Sequence, residues 1–270
     1  MGRDIALNLA AFGIQTLLKD IAPAALDEAR SAIRQNLRLY KMTNPAYKHL
    51  DKAALDSLIH YTVDYNEFDS VDWVIENVPE EWERKEQVYQ ELAEVCRPET
   101  RFGVNTSCIS ITKVGALMPH PENVIGMHFM NPVPMKPAVE TVKGFHTSED
   151  TIVSAKALLK AMSKKMILVN DFPGFVANRL SHLFMNEAAF LVQDQVADPA
   201  AIDAIFKEGY GHAMGPLKTA DLIGLDTVVS SLKVLYESYQ DPKFRCCPLL
   251  QKMADAGLLG RKSGRGFYEY

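Results

Sequence analysis

The chain has 270 residues, of which 47% are hydrophobic and 23% are charged, and its formal net charge at pH 7 is -5. These proportions are typical of a globular protein with an extensive core, and they exclude wholesale disorder. The acidic balance leaves no broad basic surface for a phosphate backbone, so nucleic acid is not an expected partner. No apolar run reaches the ~18 residues of a membrane helix, and no signal peptide is recognisable, so we expect a cytoplasmic protein without a membrane partner.

A length of 270 residues exceeds the usual size of one domain, so we expect two. The four cysteines, Cys96, Cys108, Cys246 and Cys247, have neither the spacing of a zinc knuckle nor that of a redox pair. Reduced thiols in the cytoplasm are the expectation. No second histidine or cysteine lies at ligand spacing near His128, so no metal site is predicted.

The first half of the chain alternates short apolar runs with helical patterns, which is typical of parallel strands joined by crossover helices. Helices are predicted at residues 5–11, 24–39 and 52–59, with an irregular polar stretch at 41–51. A further helix is expected to begin at Thr147, with Asp150 three residues later in a capping box. Strands are predicted at residues 16–20, 73–76, 102–105, 124–129, 139–142 and 166–169, and the parallel pattern is expected to end at Val139.

After Pro173 the pattern becomes almost purely helical. Helices are predicted at residues 175–195, 200–207, 218–239 and 249–256. This change indicates a domain boundary at residues 170–172. The sequence therefore predicts an α/β fold, with a Rossmann-like doubly wound sheet in residues 1–170 and an all-α domain in residues 171–270.

The first helix and strand resemble the second half of a dinucleotide-binding motif. Gly2 opens the helix, and Asp20 follows the strand 18 residues later. In such a unit the last glycine permits close packing of helix and strand, and an acid about 20 residues on binds the adenosine ribose hydroxyls. No arginine follows Asp20, so NAD is favoured over NADP, although Asp20 could instead be a turn residue before the next helix.

The first strand and the first two glycines of that motif are missing before Met1. The missing glycine loop normally supplies the amides that bind the pyrophosphate. We interpret the difference as a misplaced start codon rather than a damaged gene, and we expect a chain that truly begins here to bind NAD weakly.

Two residues of opposite character, His128 and Glu140, lie twelve positions apart at the ends of predicted strands. Oxidation of an alcohol needs a base at the hydroxyl, and imidazole has a suitable intrinsic pKa. A carboxylate on an adjacent strand would offset the charge that the histidine gains. Taken singly, each residue is more often structural, so the pair needs further support.

Five sequence blocks together provide that support, because they resemble the 3-hydroxyacyl-CoA dehydrogenase family in type and order. They are Asn-Thr-Ser at 105–107, His-Phe-Met-Asn-Pro-Val-Pro at 128–134, Val-Glu at 139–140, Pro-Gly-Phe-Val-Ala-Asn-Arg at 173–179 and Gly-Arg-Gly-Phe-Tyr at 264–268. The resemblance implies NAD-linked interconversion of an L-3-hydroxyacyl thioester and its 3-ketoacyl form.

The resemblance also implies catalytic roles for four residues. His128 would be the general base and Glu140 its orienting partner. Ser107 would bind the reacting oxygen, and Asn178 would hold the substrate against the base.

For the cofactor, Glu80 and Lys85 match family positions that contact the nicotinamide half of NAD. Asn105 is expected to line the same wall of the cofactor site, next to the nicotinamide. Gly2, as the last glycine of the motif, and Asp20, as its ribose ligand, are the other cofactor-binding candidates. The alternative for Lys85 is a solvated helix face.

By the same resemblance, residues 171–270 would form a substrate and dimerisation domain, and the protein would be a homodimer. The alternative is that the apolar helix faces of this half pack only within the chain.

One departure from the family concerns the substrate carrier. Family members that use coenzyme A present a serine and a lysine after the acidic ribose ligand, and these positions fall near Asn36 and Thr43, with Lys41 and Lys48 close by. Loss of the lysine would weaken binding of the coenzyme A phosphate. An acyl thioester on coenzyme A and one on acyl carrier protein therefore both remain open, as does a relative that kept the fold without catalysis.

Overall fold

The computed structural model describes residues 1–270 and divides into two compact units, Met1–Asp171 and Phe172–Tyr270. The first unit contains seven strands and six α-helices. The strands are β1 (Thr16–Lys19), β2 (Ile59–Thr62), β3 (Trp73–Glu76), β4 (Arg101–Val104), β5 (Val124–Phe129), β6 (Ala138–Lys143) and β7 (Lys165–Asn170). The helices are α1 (Gly2–Ala11), α2 (Pro23–Thr43), α3 (Lys52–Leu58), α4 (Trp82–Val95), α5 (Ile111–Gly115) and α6 (Glu149–Ala161).

The strands form two sheets. A two-stranded parallel sheet contains β1 and β2, and a five-stranded sheet has the order β3-β4-β5-β6-β7. Strands β3, β4 and β5 are parallel, β6 runs antiparallel to β5, and β7 is parallel to β6. The short segment between β5 and β6 suits an antiparallel return, because a parallel crossover needs a dozen or more residues. The predicted end of the parallel pattern at Val139 is confirmed.

Strand β5 lies at the centre of the larger sheet, and all six of its residues are buried. Its side chains pack in a core with Ile5 of α1 and with Ile152 and Leu159 of α6. A strand covered on both faces reads as a continuous apolar run rather than an alternating one. This explains why the sequence predicted β5 with its observed bounds.

The structure corrects several local predictions in this unit. Strand β2 was missed, because it follows α3 without any turn residue to separate them. Helix α2 continues to Thr43 and is followed by a 3-10 turn, Pro45–Tyr47, where an irregular stretch was expected. The N-cap of α6 is Ser148 rather than Thr147, whose hydroxyl instead donates to the Val124 carbonyl.

The second unit is entirely helical. Its α-helices are α7 (Ala177–Gln193), α8 (Pro199–Ala204), α9 (Pro216–Ile223), α10 (Leu225–Tyr239) and α11 (Pro248–Asp255). The single helix predicted at residues 218–239 is two helices, because Gly224 has a φ of +105° that an α-helix does not allow. A π-helical turn, Ile205–Gly209, follows α8. The α/β fold class, with a Rossmann-like sheet followed by a helical unit, is confirmed.

Two buried aspartates hold the end of the chain against this helical unit. Asp221 is 0% exposed and accepts hydrogen bonds from the backbone N–H groups of Phe267 (3.0 Å) and Tyr268 (2.9 Å). The Tyr268 hydroxyl donates to Asp203 at 2.7 Å. A Cβ atom added at Gly266 would overlap the Asp221 carboxylate, so the glycine is needed for this close approach.

No helix in the chain is both long enough and apolar enough to cross a membrane.

Candidate active site

The candidate site lies where β3, β4 and β5 end, since the carboxyl ends of parallel strands meet at one edge of a sheet. His128 is the penultimate residue of β5. Asn105 directly follows β4, and Ser107 lies two residues further on. These three positions belong to the sequence blocks that suggested the chemistry.

His128 and Glu140 form a buried pair on neighbouring strands. They are register partners on β5 and β6, so their side chains lie on the same face of the sheet. The distance from His128 Nδ1 to Glu140 Oε2 is 2.9 Å, and the two residues are 8% and 7% exposed. Because an ionised carboxylate only accepts, we assign the hydrogen to Nδ1 and leave Nε2 as the basic nitrogen.

Ser107 approaches the other nitrogen of the same imidazole. Its Oγ lies 3.4 Å from His128 Nε2, at the outer limit of a hydrogen bond. Ser107 lies in the loop between β4 and α5 and is half-buried. A substrate hydroxyl near both atoms would therefore meet a base and a hydroxyl donor.

Glu80 contacts the Ser107 loop through a single oxygen. Its Oε1 accepts from the Thr106 hydroxyl (2.5 Å) and from the backbone N–H groups of Ser107 (2.9 Å), Cys108 (2.8 Å) and Ile109 (3.3 Å). The carboxylate is thus part of the loop's own hydrogen-bond network.

Asn105 joins the ends of three strands. Its side-chain oxygen accepts from the Phe129 N–H at 3.0 Å, and its amide donates to Asn77 Oδ1 at 2.7 Å. Asn77 follows β3, Asn105 follows β4 and Phe129 ends β5. The side chain therefore fixes the edge of the sheet at which His128 lies.

Lys85 does not lie on a solvated helix face. It is 0% exposed, and its Nζ lies 2.9 and 2.8 Å from the two carboxylate oxygens of Glu76, and 4.0 Å from Glu80 Oε2. Burial raises the pKa of Glu76, and the charge of Lys85 opposes that shift. The pairing with Glu76 could not be predicted from the sequence, because the two side chains meet only once β3 and α4 are packed.

Gly2 and Asp20 lie at the start of α1 and just after β1. A Cβ atom at Gly2 would come no closer than 3.6 Å to Asn77, so this glycine is not required by local crowding. Asp20 is exposed, and its Oδ1 accepts from the Ala22 N–H at 3.1 Å, as expected of a residue in the turn before α2.

Asn178 lies in the helical unit, in the first turn of α7. Its backbone carbonyl accepts from His182 Nδ1 at 2.9 Å. The neighbouring Arg179 stacks on the Tyr239 ring, with 4.5 Å between the guanidinium carbon and the ring centroid.

At the two positions that depart from the coenzyme A pattern, the side chains form hydrogen bonds within the chain. The Asn36 amide donates to Asp4 at 3.2 Å, and the Thr43 hydroxyl lies 3.4 Å from the Leu39 carbonyl oxygen in its own helix. Of the nearby lysines, Lys41 is half-buried and Lys48 is exposed.

Sequence reasoning missed Lys164, which lies between α6 and β7. Its Nζ donates to the carbonyl oxygens of Val133 (2.7 Å) and Lys136 (2.8 Å), in the segment that follows β5. Burial lowers the pKa of Lys164 to about 8. The neighbouring Lys165 is exposed, and nothing in the local sequence distinguishes the two lysines.

The chain contains no group of three or more histidine, cysteine, aspartate or glutamate side chains that could hold a metal ion.

Comparison with known proteins covers the whole chain. Residues 1–172 match the NAD binding domain of 3-hydroxyacyl-CoA dehydrogenase, and residues 174–270 match its C-terminal domain. A probable 3-hydroxybutyryl-CoA dehydrogenase of Bacillus subtilis is 41% identical over 271 residues, which covers 100% of this chain and 94% of the relative. The 3-hydroxybutyryl-CoA dehydrogenase of Bradyrhizobium diazoefficiens is 38% identical, with 100% and 92% covered.

Solved structures agree with these matches. The crystal structure of (S)-3-hydroxybutyryl-CoA dehydrogenase from Ralstonia eutropha superposes with a TM-score of 0.93 at 37% identity, covering 100% of this chain and 95% of that one. The chain therefore belongs to the 3-hydroxyacyl-CoA dehydrogenase family and is an NAD-dependent oxidoreductase of 3-hydroxyacyl-CoA.

Proposed function

We propose that His128 is the general base for the substrate hydroxyl, that Glu140 stabilises the imidazolium, and that Ser107 binds the reacting oxygen. The observation that carries the proposal is the buried 2.9 Å contact between His128 Nδ1 and Glu140 Oε2, with Ser107 Oγ 3.4 Å from Nε2. Together they supply a base, its counter-charge and a hydroxyl donor around one nitrogen.

In the oxidation direction, His128 Nε2 takes the proton of the 3-hydroxyl group as the carbon becomes a carbonyl. NAD, when bound, supplies the acceptor for the hydride that leaves the same carbon. The imidazole then carries a positive charge, which the Glu140 carboxylate offsets through the Nδ1 hydrogen. Ser107 Oγ donates to the carbonyl oxygen as it forms. In the reverse direction, His128 returns the proton from Nε2.

The exposed Asp20 carboxylate fits the hydroxyls of an adenosine ribose, because its Oδ2 makes no hydrogen bond within the chain. Gly2 opens α1, where the Asp4 and Ile5 N–H groups donate to the Met1 carbonyl, so the N–H groups of Gly2 and Arg3 are the ones that suit a pyrophosphate. We assign Gly2 and Asp20 to the adenosine half of NAD. Glu80 and Asn105 are assigned to the wall of the nicotinamide half. The buried Lys85 stabilises that wall through its contacts with the carboxylates of Glu76 and Glu80.

We assign the helical part of the chain, residues 171–270, to substrate binding and dimerisation, with Asn178 as a substrate ligand. Large apolar side chains are exposed on this unit, among them Leu180 (63%), Val176 (50%) and Leu222 (51%). Such exposure on one unit supports burial against a second copy. Sedimentation of the full chain tests the homodimer, and a monomer at micromolar concentration would contradict it.

We propose a coenzyme A thioester as the substrate rather than an acyl carrier protein thioester, because the relatives named above are dehydrogenases of 3-hydroxybutyryl-CoA. The cytoplasm is the proposed compartment, and the absence of any disulfide among the four cysteines supports it. Assays of matched C4 thioesters of coenzyme A and of acyl carrier protein test the carrier, and higher kcat/KM on the carrier protein would reverse the assignment.

Turnover of (S)-3-hydroxybutyryl-CoA, followed as NADH formation at alkaline pH, tests the central roles. His128→Ala is expected to lower kcat by at least ~100-fold. The control is His120→Ala, since His120 also pairs with a glutamate, Glu122 at 3.2 Å, but on the exposed surface. Equal turnover of the wild type and His128→Ala would contradict the assignment.

A further inference from the structure

The loop that carries Ser107 is built around the carboxylate of Glu80. We propose that Glu80 is a positioning residue, which sets Ser107 Oγ relative to His128 by fixing the backbone of residues 106–109. This inference rests on the roles proposed above for Ser107 and His128. It adds to the cofactor contact proposed above for Glu80, because Glu80 would also act on turnover through Ser107.

The backbone of the loop requires an external acceptor. The N–H groups of Ser107, Cys108 and Ile109 are consecutive and all face Glu80 Oε1, at 2.9, 2.8 and 3.3 Å. Consecutive N–H groups that converge in this way form an anion-binding concavity, which a carboxylate oxygen satisfies better than a neutral acceptor. The Thr106 hydroxyl completes the set by donating to the same oxygen and accepting from the Ile109 N–H at 3.0 Å.

The orientation of the Glu80 carboxylate is set by a contact with Lys85. The Glu80 side chain is 38% exposed, so burial alone does not fix its orientation. The second oxygen, Oε2, lies 4.0 Å from Lys85 Nζ, and Lys85 is fully buried against Glu76. The anchored charge of Lys85 therefore directs one carboxylate oxygen of Glu80 inward and leaves the other for the loop.

The beginning of the same loop is tied to the strand that carries the base. Asn105 accepts from the N–H of Phe129, the residue after His128, at 3.0 Å. Ser107 is thus fixed on one side to β5 and on the other to Glu80. Because the Ser107 Oγ to His128 Nε2 distance of 3.4 Å is already long, a small shift of the loop would break this contact.

A double-mutant cycle on the full-length protein tests this coupling. The variants are Ser107→Ala, Glu80→Ala and the double variant, with kcat and KM for (S)-3-hydroxybutyryl-CoA measured under NAD saturation. We expect Glu80→Ala to lower kcat by ~10-fold or more, and the double variant to fall within about twofold of Ser107→Ala. Glu80→Gln keeps an acceptor oxygen and should recover most of the lost turnover.

Two further measurements separate positioning from cofactor binding and from misfolding. The dissociation constant of NADH, from its fluorescence, should change less than about threefold in Glu80→Gln and Glu80→Ala. The matched control is Glu83→Ala, since Glu83 is an exposed glutamate in the first turn of α4. Its kcat should equal that of the wild type. Circular dichroism confirms that each variant is folded. If Glu80→Ala is not, Glu80→Asp replaces it in the cycle, because its shorter side chain withdraws the carboxylate from the loop N–H groups.

Three results would overturn the inference, and they are distinguishable. Independent, multiplicative losses in the double variant would show that Glu80 does not act through Ser107. A large rise in the NADH dissociation constant with unchanged kcat would make Glu80 a cofactor ligand only. Wild-type turnover in Ser107→Ala would instead refute the role proposed for Ser107, and the inference about Glu80 would end with it.

Discussion

His128 and Glu140 lie directly opposite each other on antiparallel strands, with Nδ1 2.9 Å from Oε2. Both side chains are buried, so water does not screen the charge of one from the other. The sheet therefore holds a base and its counter-charge in a fixed geometry before any substrate binds, which is the arrangement that lowers the cost of forming an imidazolium.

Removal of the counter-charge should slow the reaction without weakening cofactor binding. In Glu140→Gln the side-chain oxygen can still accept from Nδ1, but the negative charge is lost. We expect kcat to fall by ~100-fold or more and the NADH dissociation constant to stay within about twofold. Steady-state kinetics and NADH fluorescence measure the two effects. The control is Glu122→Gln, which alters the exposed pair with His120, and a kcat within twofold of wild type in Glu140→Gln would refute the role.

Lys164 should make folding stability rise with pH in the alkaline range. Its pKa is about 8 in the folded chain, against 10.5 for an ordinary lysine. Between these values the unfolded chain binds one more proton, so the free energy of unfolding increases by up to about 1.4 kcal/mol per pH unit.

Urea unfolding of the wild type and Lys164→Met at pH 7.5, 8.5 and 9.5 measures this difference. The wild type should gain stability relative to the variant as the pH rises. The neighbouring exposed Lys165 provides the matched control, Lys165→Met, which should follow the wild type. If Lys164→Met and the wild type changed in parallel, the lysine would titrate normally.

The glycine that contacts the Asp221 carboxylate should not tolerate a side chain. A Cβ atom in Gly266→Ala would overlap that carboxylate and displace the adjacent Phe267 and Tyr268 backbone from it. We expect a loss of about 2 kcal/mol or more in the free energy of unfolding. Gly209→Ala is the control, because nothing lies within 4 Å of the added atom. Thermal melts that are equal for the two variants would contradict the prediction.

His182 should make the protein less stable in acid. It is 3% exposed, its Nδ1 donates to the Asn178 carbonyl, and its Nε2 has no hydrogen-bond partner. Burial lowers its pKa, so the folded chain resists protonation while the unfolded chain binds a proton near pH 6.5. Stability is therefore lost as the pH falls below ~6.5.

Urea unfolding of the wild type and His182→Leu at pH 7, 6 and 5 checks this prediction. The wild type should lose stability relative to the variant by up to about 1.4 kcal/mol per pH unit. A constant difference across the three pH values would mean that His182 titrates alike in both states.

The sequence predicted best those site residues that lie on one strand or on two adjacent strands. Residues of β5 form one apolar run, and Glu140 was expected on an adjacent strand, as the structure confirms. Lys85 was harder, because its ion pair with Glu76 joins elements that meet only in the packed unit. Gly224 was missed as a break because the helical periodicity resumes at once after it.

The central position of β5 has a consequence for how the protein loses activity. The residues Val124 to Gly126 pair with β4, those from Gly126 to Phe129 pair with β6, and all six are buried. Amide protons of such a strand exchange only when the whole unit opens, whereas edge strands such as β3 and β7 fray first. The base thus lies on the strand whose amide protons we expect to exchange most slowly. On heating, its alignment with Glu140 should persist until cooperative unfolding.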